Sequence, residues 1–132
     1  MIYAMFAMVM LTFLVGIITF KTRVNSVKKG EVSARYYKLM QGDEIPEAVI
    51  KTSRNFTNQF EIPVLFYVAA SLFAALQIES DIALACAWIF VACRCAHAFI
   101  HLTYNHLLHR IIAFWAANFA VLSMWISLVS EI

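Results

Sequence analysis

Charge is scarce in this sequence, and its scarcity excludes more than any other feature. Asp, Glu, Lys and Arg make up 14% of the 132 residues, while 63% are hydrophobic and the mean hydropathy is +0.77. A soluble domain averages about 25% charged and about 45–50% apolar residues. A water-soluble globule is therefore excluded, and the chain reads as a membrane protein forming one domain over 1–132. Glycine is nearly absent, with three residues, and no Walker motif, dinucleotide fingerprint, internal repeat or low-complexity tract occurs. Nucleotide chemistry has no support, and nucleic acid is not an expected partner. Cysteine is equally sparse. Cys86, Cys93 and Cys95 form no C-x-x-C, and Cys93 and Cys95 point about 200° apart on a helix. Small apolar packing residues are expected there, not a redox or metal site.

What the chain does have is four apolar runs, 2–20, 62–78, 82–100 and 111–129, of 17–19 residues each. Each covers about 26–29 Å, close to a hydrocarbon core of about 30 Å. None shows the period-2 alternation of barrel strands, and lipid admits only helices or a closed barrel. The expected fold is all-α: an integral membrane four-helix bundle with helices over about 2–22, 46–77, 81–105 and 110–130. No Lys or Arg precedes the first run, and Lys21 and Arg23 follow it where a cleavage site would stand, so it is expected to stay as an anchor. Residues at four-residue spacing, Ala70 and Ala74, Ala92 and Ala96, Ala116 and Ala120, suit close helix packing.

Segment 21–59 carries eight basic residues against Glu31, Asp43, Glu44 and Glu47, a net +4. The link 77–81 has Glu79 and Asp81 with no base, and the third link has Arg110 beside His106 and His109. Lys and Arg bias then puts 21–59 and 101–110 in the cytoplasm and both termini outside; the membrane expected is a bacterial inner membrane or its equivalent. Gly30 and Gly42 to Pro46 read as breaks, and Asp43 or Glu44 suits a helix start with Pro46 in the first turn. Pro63 is expected to kink the second helix or loosen its backbone.

Against this apolar ground a polar stripe stands out. Arg54, Asn58 and Glu61 recur at steps of four and three; Arg94, His97, His101 and Tyr104 at three, four and three. Each set falls on one helix face. A central arginine costs about 2.5–3.5 kcal/mol to insert, so such faces should look inward, at partners or ligand. With Arg110 they are expected to converge near the cytoplasmic surface, where Arg54, Arg94 and Arg110 against Glu61 leave a net +2. That excess suits an anion, arginine matches carboxylates, and Arg110 would favour a thiolate over its thiol. Simpler readings stand beside this one. Arg54, Asn58 and Glu61 could merely solvate a helix end, with Arg54 snorkelling to headgroups, and Arg94 could form a structural ion pair with Glu61. His97 and His101 have metal or haem spacing. No other helix offers a membrane histidine, so structural hydrogen bonding is expected there and no metal.

At these residues the chain resembles the MAPEG family, membrane-associated proteins of eicosanoid and glutathione metabolism, as a short bacterial-type member. Arg54-Asn55-Phe56-Thr57-Asn58-Gln59-Phe60-Glu61 matches its R-x-x-x-N-x-x-E, with Pro63 and Leu65-Phe66 following, and Arg94 with His97 is similar to an R-x-x-H of some members. His101 stands where those members have a site tyrosine, and Tyr104 is one turn later. The resemblance implies a homotrimer binding glutathione, as co-substrate, between neighbours near the cytoplasmic side. Arg54, Asn58 and Glu61 would hold the peptide's polar ends, Arg94 and His97 would support them, and Arg110, with His101 or Tyr104, would act on the thiol. The expected function is a glutathione-dependent transferase or peroxidase acting on lipophilic electrophiles that arrive from the bilayer, with membrane lipids around it. The alternatives are a non-catalytic binder of lipid or glutathione, and a small transporter coupled through Glu61 and Arg94.

Overall fold

A computed structural model describes residues 1–40 and 45–132; Gly42, Asp43 and Glu44, read above as a break and a helix start, lie outside the described residues. Among the described residues every regular element is helical: α1 (Ile2–Lys28), α2 (Tyr36–Leu39), α3 (Glu47–Thr57), α4 (Ile62–Ala75), α5 (Asp81–Leu102) and α6 (Leu107–Ser130). A 3₁₀ turn, Asn58–Phe60, joins α3 to α4. Together α3 and α4 make the span Glu47–Ala75, so four helices are long and apolar enough to cross a membrane. Their outer faces settle the solvent. Phe6, Phe13, Ile17 and Phe20 of α1, with Ile112, Trp115, Phe119 and Ile126 of α6, are exposed. A soluble monomer does not leave so large an apolar surface in water. The protein is an integral, multi-pass membrane protein.

Local chemistry sets where each helix stops. α1 continues past 22 to Lys28 because nothing before Gly30 breaks it, and long basic side chains can carry a helix out of the hydrocarbon. Gly30 then takes φ +72°, a value glycine adopts without strain, while Glu31 N–H bonds the Ser26 carbonyl at 3.0 Å. The second span opens with Pro46 as N-cap and not inside the first turn. At α5, Ser80 Oγ accepts the Ala83 N–H at 3.2 Å and Asp81 complements the positive helix end. That helix ends at Leu102, short of 105: Asn105 turns left-handed at φ 50° and sends its N–H to the Ile100 carbonyl at 2.8 Å.

The helices run antiparallel, so the links after α1 and α5 share one end of the bundle. The opposite end gathers Met1 and Tyr3 with Gln77, Ile78 and Glu79. α5 and α6 form the broadest pairing, and α1 lies along α3. Small residues make the approach possible, though not all of those expected. Ala70 and Ala120 are buried, yet Ala74, Ala92 and Ala96 face outward, while Ala83, Ala87, Ala98, Ala113 and Ala117 pack inside. Ala92 and Ala96 lie about 200° around the helix from Arg94, and Arg94 claims the inner face. Cys86 and Cys93 pack against the core, while Cys95 is exposed.

The core is anchored by Phe66 and Phe90, fully buried and stacked with ring centroids 4.6 Å apart and planes 8° from parallel. Met8, Phe73 and Met124 close around them. Within lipid the transfer energy of apolar groups largely vanishes, and packing contacts carry helix association. Phe66→Ala is therefore expected to cost at or below the low end of the about 3–5 kcal/mol usual for such a cavity. Reversible unfolding from mixed micelles measures it; an unchanged unfolding midpoint would show that the stack does not support the bundle.

Candidate functional site

The second span does not run straight through its polar residues. Pro63 has no N–H to give the carbonyl four residues back, and its ring crowds that position. The α-helix accordingly stops at Thr57, tightens into the 3₁₀ turn Asn58–Phe60, and restarts at Ile62 with the proline in its first turn. Glu61 at the junction has φ −95°, ψ −102°. The Asn58 carbonyl, within this 3₁₀ turn, accepts a hydrogen bond from Arg94 Nη2 of α5. Arg94 is 1% exposed. The ion pair with Glu61 considered above is not formed: among the described residues the salt bridges within 4.0 Å are Lys29–Glu31 and Lys51–Glu47. Arg94 grips the broken backbone instead.

Its neighbours on α5 continue the inner face. His97 is 3% exposed and its Nδ1 lies 3.2 Å from the Arg110 carbonyl. A carbonyl only accepts, so His97 carries a proton on Nδ1. His101, 1% exposed, follows one turn on, ring centroids 5.9 Å apart. Arg94 Nε and Nη1, His97 Nε2 and both His101 nitrogens have no protein partner among the described residues. Buried groups of this kind are satisfied by ordered water or by ligand.

Beside His101 a cleft of about 270 Å³ opens, lined by Ser53, Arg54, Thr57, Asn58, Glu61, His101 and Arg110. Three helices supply it. Arg54 and Glu61 are exposed at its rim, and Asn58 is half-buried. Arg110 sits in the first turn of α6, its Nη1 held by Asn105 Oδ1 at 2.9 Å. Arg54 and Arg110 against Glu61 leave one excess positive charge, with that of Arg94 behind the wall. The arrangement favours an anionic ligand whose carboxylates meet arginine.

The structure thus brings five of the sequence-derived residues, Arg54, Asn58, Glu61, His101 and Arg110, to one cleft. It puts Arg94 and His97 behind that cleft. Tyr104 is not brought in. Its expected place on the α5 face fails because the helix ends at Leu102, and the side chain turns outward to bond His109 Nδ1 at 3.0 Å. A second polar face was missed altogether. Thr52, Asn55 and Gln59 are buried on the inner side of the second span; Asn55 Nδ2 bonds the Ala98 carbonyl at 3.2 Å, and Gln59 Nε2 bonds the Asn55 carbonyl at 3.2 Å. Their own steps of three and four were the available signal. If Arg94 holds the break, Arg94→Met removes a hydrogen bond to a charged group, worth about 1.5–3 kcal/mol. Amides from Thr57 to Ile62 should then exchange hydrogen about tenfold faster or more. Unaltered protection would mean the backbone holds that shape unaided.

The sequence pattern that defines the MAPEG family matches residues 1–130. No curated protein and no solved structure matches the chain. With nearly its whole length covered, and with the break, the arginines and the four spans in place, the chain belongs to the MAPEG family.

Proposed function

We propose that the protein is a membrane glutathione-dependent transferase or peroxidase acting on lipophilic electrophiles. One observation carries this reading: Arg54, Asn58, Glu61, His101 and Arg110 line a single cleft at one end of the bundle. Arg54 suits a glutathione carboxylate, Glu61 its ammonium, and the Asn58 amide either polar end. Arg110 then stands where a cation favours the thiolate, and the helix end it occupies adds a partial positive charge. The thiol proton passes to a His101 nitrogen or to water. The sulfur lone pair forms the new bond to the electrophilic carbon, and the leaving group departs with its bonding electrons. In the peroxidase variant the thiolate sulfur attacks one peroxide oxygen, the O–O bond breaks, and the other oxygen leaves as an alkoxide that takes up a proton to become the alcohol. A second glutathione thiol then displaces water from the sulfenic acid to give the disulfide. Positioning and electrostatic stabilisation carry the rate, and glutathione enters as co-substrate with no metal.

The same reading places the cleft in the cytoplasm, with both termini on the other side of a bacterial inner membrane, on the strength of the Lys and Arg bias. It also takes the assembly to be a homotrimer. Arg54 and Glu61 are exposed at the rim, and about 270 Å³ falls short of the about 300–1,000 Å³ of pockets that enclose a small molecule. A neighbouring subunit closing the cleft accounts for both. The chain as a whole serves as one four-helix domain.

A second reading, non-catalytic binding of an amphipathic lipid, is favoured by an apolar groove of about 550 Å³ lined by Phe13, Phe20, Phe56 and Phe60, with Lys21 beside it. A transporter role is disfavoured because the charged groups gather at one bundle end, whereas transport sites sit near the midplane. On the enzymatic reading, purified protein with glutathione shows thiolate absorbance, which Arg110→Ala abolishes, with turnover falling by about 10²-fold or more. Absorbance that never appears, or that survives Arg110→Ala unchanged, refutes it; lipid that co-purifies without turnover of any electrophile supports the binder.

A further inference from the structure

Arg23, near the end of α1, does not line the cleft, yet its guanidinium Nη2 donates to Ser53 Oγ at 3.0 Å, and Ser53 does line it. That bond fixes what Ser53 has left to offer. A hydroxyl accepts and donates. Its oxygen is engaged by a cation, and no protein atom among the described residues accepts its proton; the Val49 carbonyl, where a helical serine often donates, accepts instead from Thr52 Oγ1 at 3.3 Å. The proton is therefore free to serve the cleft. A cation behind the hydroxyl also polarises it, since hydrogen bonds in series strengthen one another by about 10–30%.

Arg23 is in turn held from the first link. Its guanidinium carbon stands 5.6 Å from the centre of the Tyr37 ring, a distance at which the ring face attracts a cation. The Tyr37 hydroxyl is 2.7 Å from Ser26 Oγ, and Ser26 Oγ donates to the Arg23 carbonyl at 2.8 Å. With its proton so used, Ser26 accepts from Tyr37. The ring is thereby tied to the helix that carries the arginine.

We propose that Ser53 is a ligand-binding residue that donates its hydroxyl proton to a carboxylate of the bound molecule. Arg23 is the positioning residue behind it, and Tyr37 steadies Arg23. A carboxylate is the group that fits: the surrounding wall presents Arg54 and Arg110, and Glu61 is its lone anion among the described residues. The inference rests on reading the cleft as an anion site. It makes the long first link, through Tyr37, part of the binding apparatus.

A double-mutant cycle tests it, with glutathione titrated calorimetrically into detergent-purified wild type, Ser53→Ala, Arg23→Gln and the double variant. Each single change is expected to weaken binding about three- to tenfold, and the double variant to bind no more weakly than the weaker single. Ser53→Thr, which keeps the hydroxyl, should bind within about twofold of wild type. Wild-type affinity in Ser53→Ala, or losses that multiply in full, overturns the inference. If Arg23→Gln fails to fold, Tyr37→Leu takes its place in the cycle under the same criterion. Should wild type take up no glutathione, the glutathione reading falls by itself. Oleate, whose carboxylate offers the same acceptor, is then the probe for the same proteins. Equal oleate affinities, or no uptake of oleate, overturn the Ser53 inference as well.

Discussion

A buried guanidinium on a backbone carbonyl of the broken second span is the contact from which the rest of this molecule follows. Pro63 breaks the second span, and lipid offers nothing to satisfy the backbone it frees. Arg94, at 1% exposure, carries a charge that the membrane interior disfavours by about 2.5–3.5 kcal/mol. Each defect alone is costly. Arg94 Nη2 donates to the Asn58 carbonyl within the break, so a backbone dipole meets the buried charge and the break acquires a fixed shape. Asn58 and Glu61 then leave a non-helical backbone at set angles, which a straight helix would not give them.

The polar residues around this contact divide into those that build and those that face the cleft. Asn55 and Gln59 tie the second span to α5 through the Ala98 carbonyl and to each other. His97 ties α5 to the start of α6 through the Arg110 carbonyl. Asn105, in the link itself, holds the Arg110 side chain. Arg54, Asn58, Glu61 and Arg110 make no salt bridge within 4.0 Å among the described residues, and they are the ones lining the cleft. Structural polar groups are bonded inward, while the charged ones at the opening form no ion pair among the described residues. That division is what an ionic ligand site requires, because pairing the charges internally would remove the reason for a ligand to bind.

The spans were legible because apolar runs of 17–19 residues have one physical solution in lipid. Much of the cleft was legible too, since steps of three and four fix relative angles around a helix. Those steps do not say which face looks inward. Ala92 and Ala96 had as good a packing signature as Ala83 and Ala87, and only the demand of Arg94 for the interior turned them outward. Thr52, Asn55 and Gln59 were overlooked for the converse reason: they are uncharged, and nothing local distinguishes a buried amide from a solvated one. Tyr104 failed at a helix end. The left-handed turn at Asn105 is a common asparagine conformation, but a Thr-Tyr-Asn run does not say where the last helical hydrogen bond falls.

Arg110 stands against the local preferences of its helix. It stands in the first turn of α6, where exposed N–H groups already make the helix end positive and where a cation is unfavourable by about 0.3–1 kcal/mol. Arg54 lines the same cleft, so like charges face one another. None of this helps the bundle fold, and a neutral residue at 110 would suit the isolated helix better. Local rules broken without a structural return concentrate at functional sites. On the proposed reading an entering anion makes the arrangement favourable, so binding should stabilise this corner of the protein by relieving repulsion as well as by adding contacts. An excess of positive charge that is costly when empty and compensated when occupied is the physical basis for reading the cleft as a binding site and not as a solvated helix end.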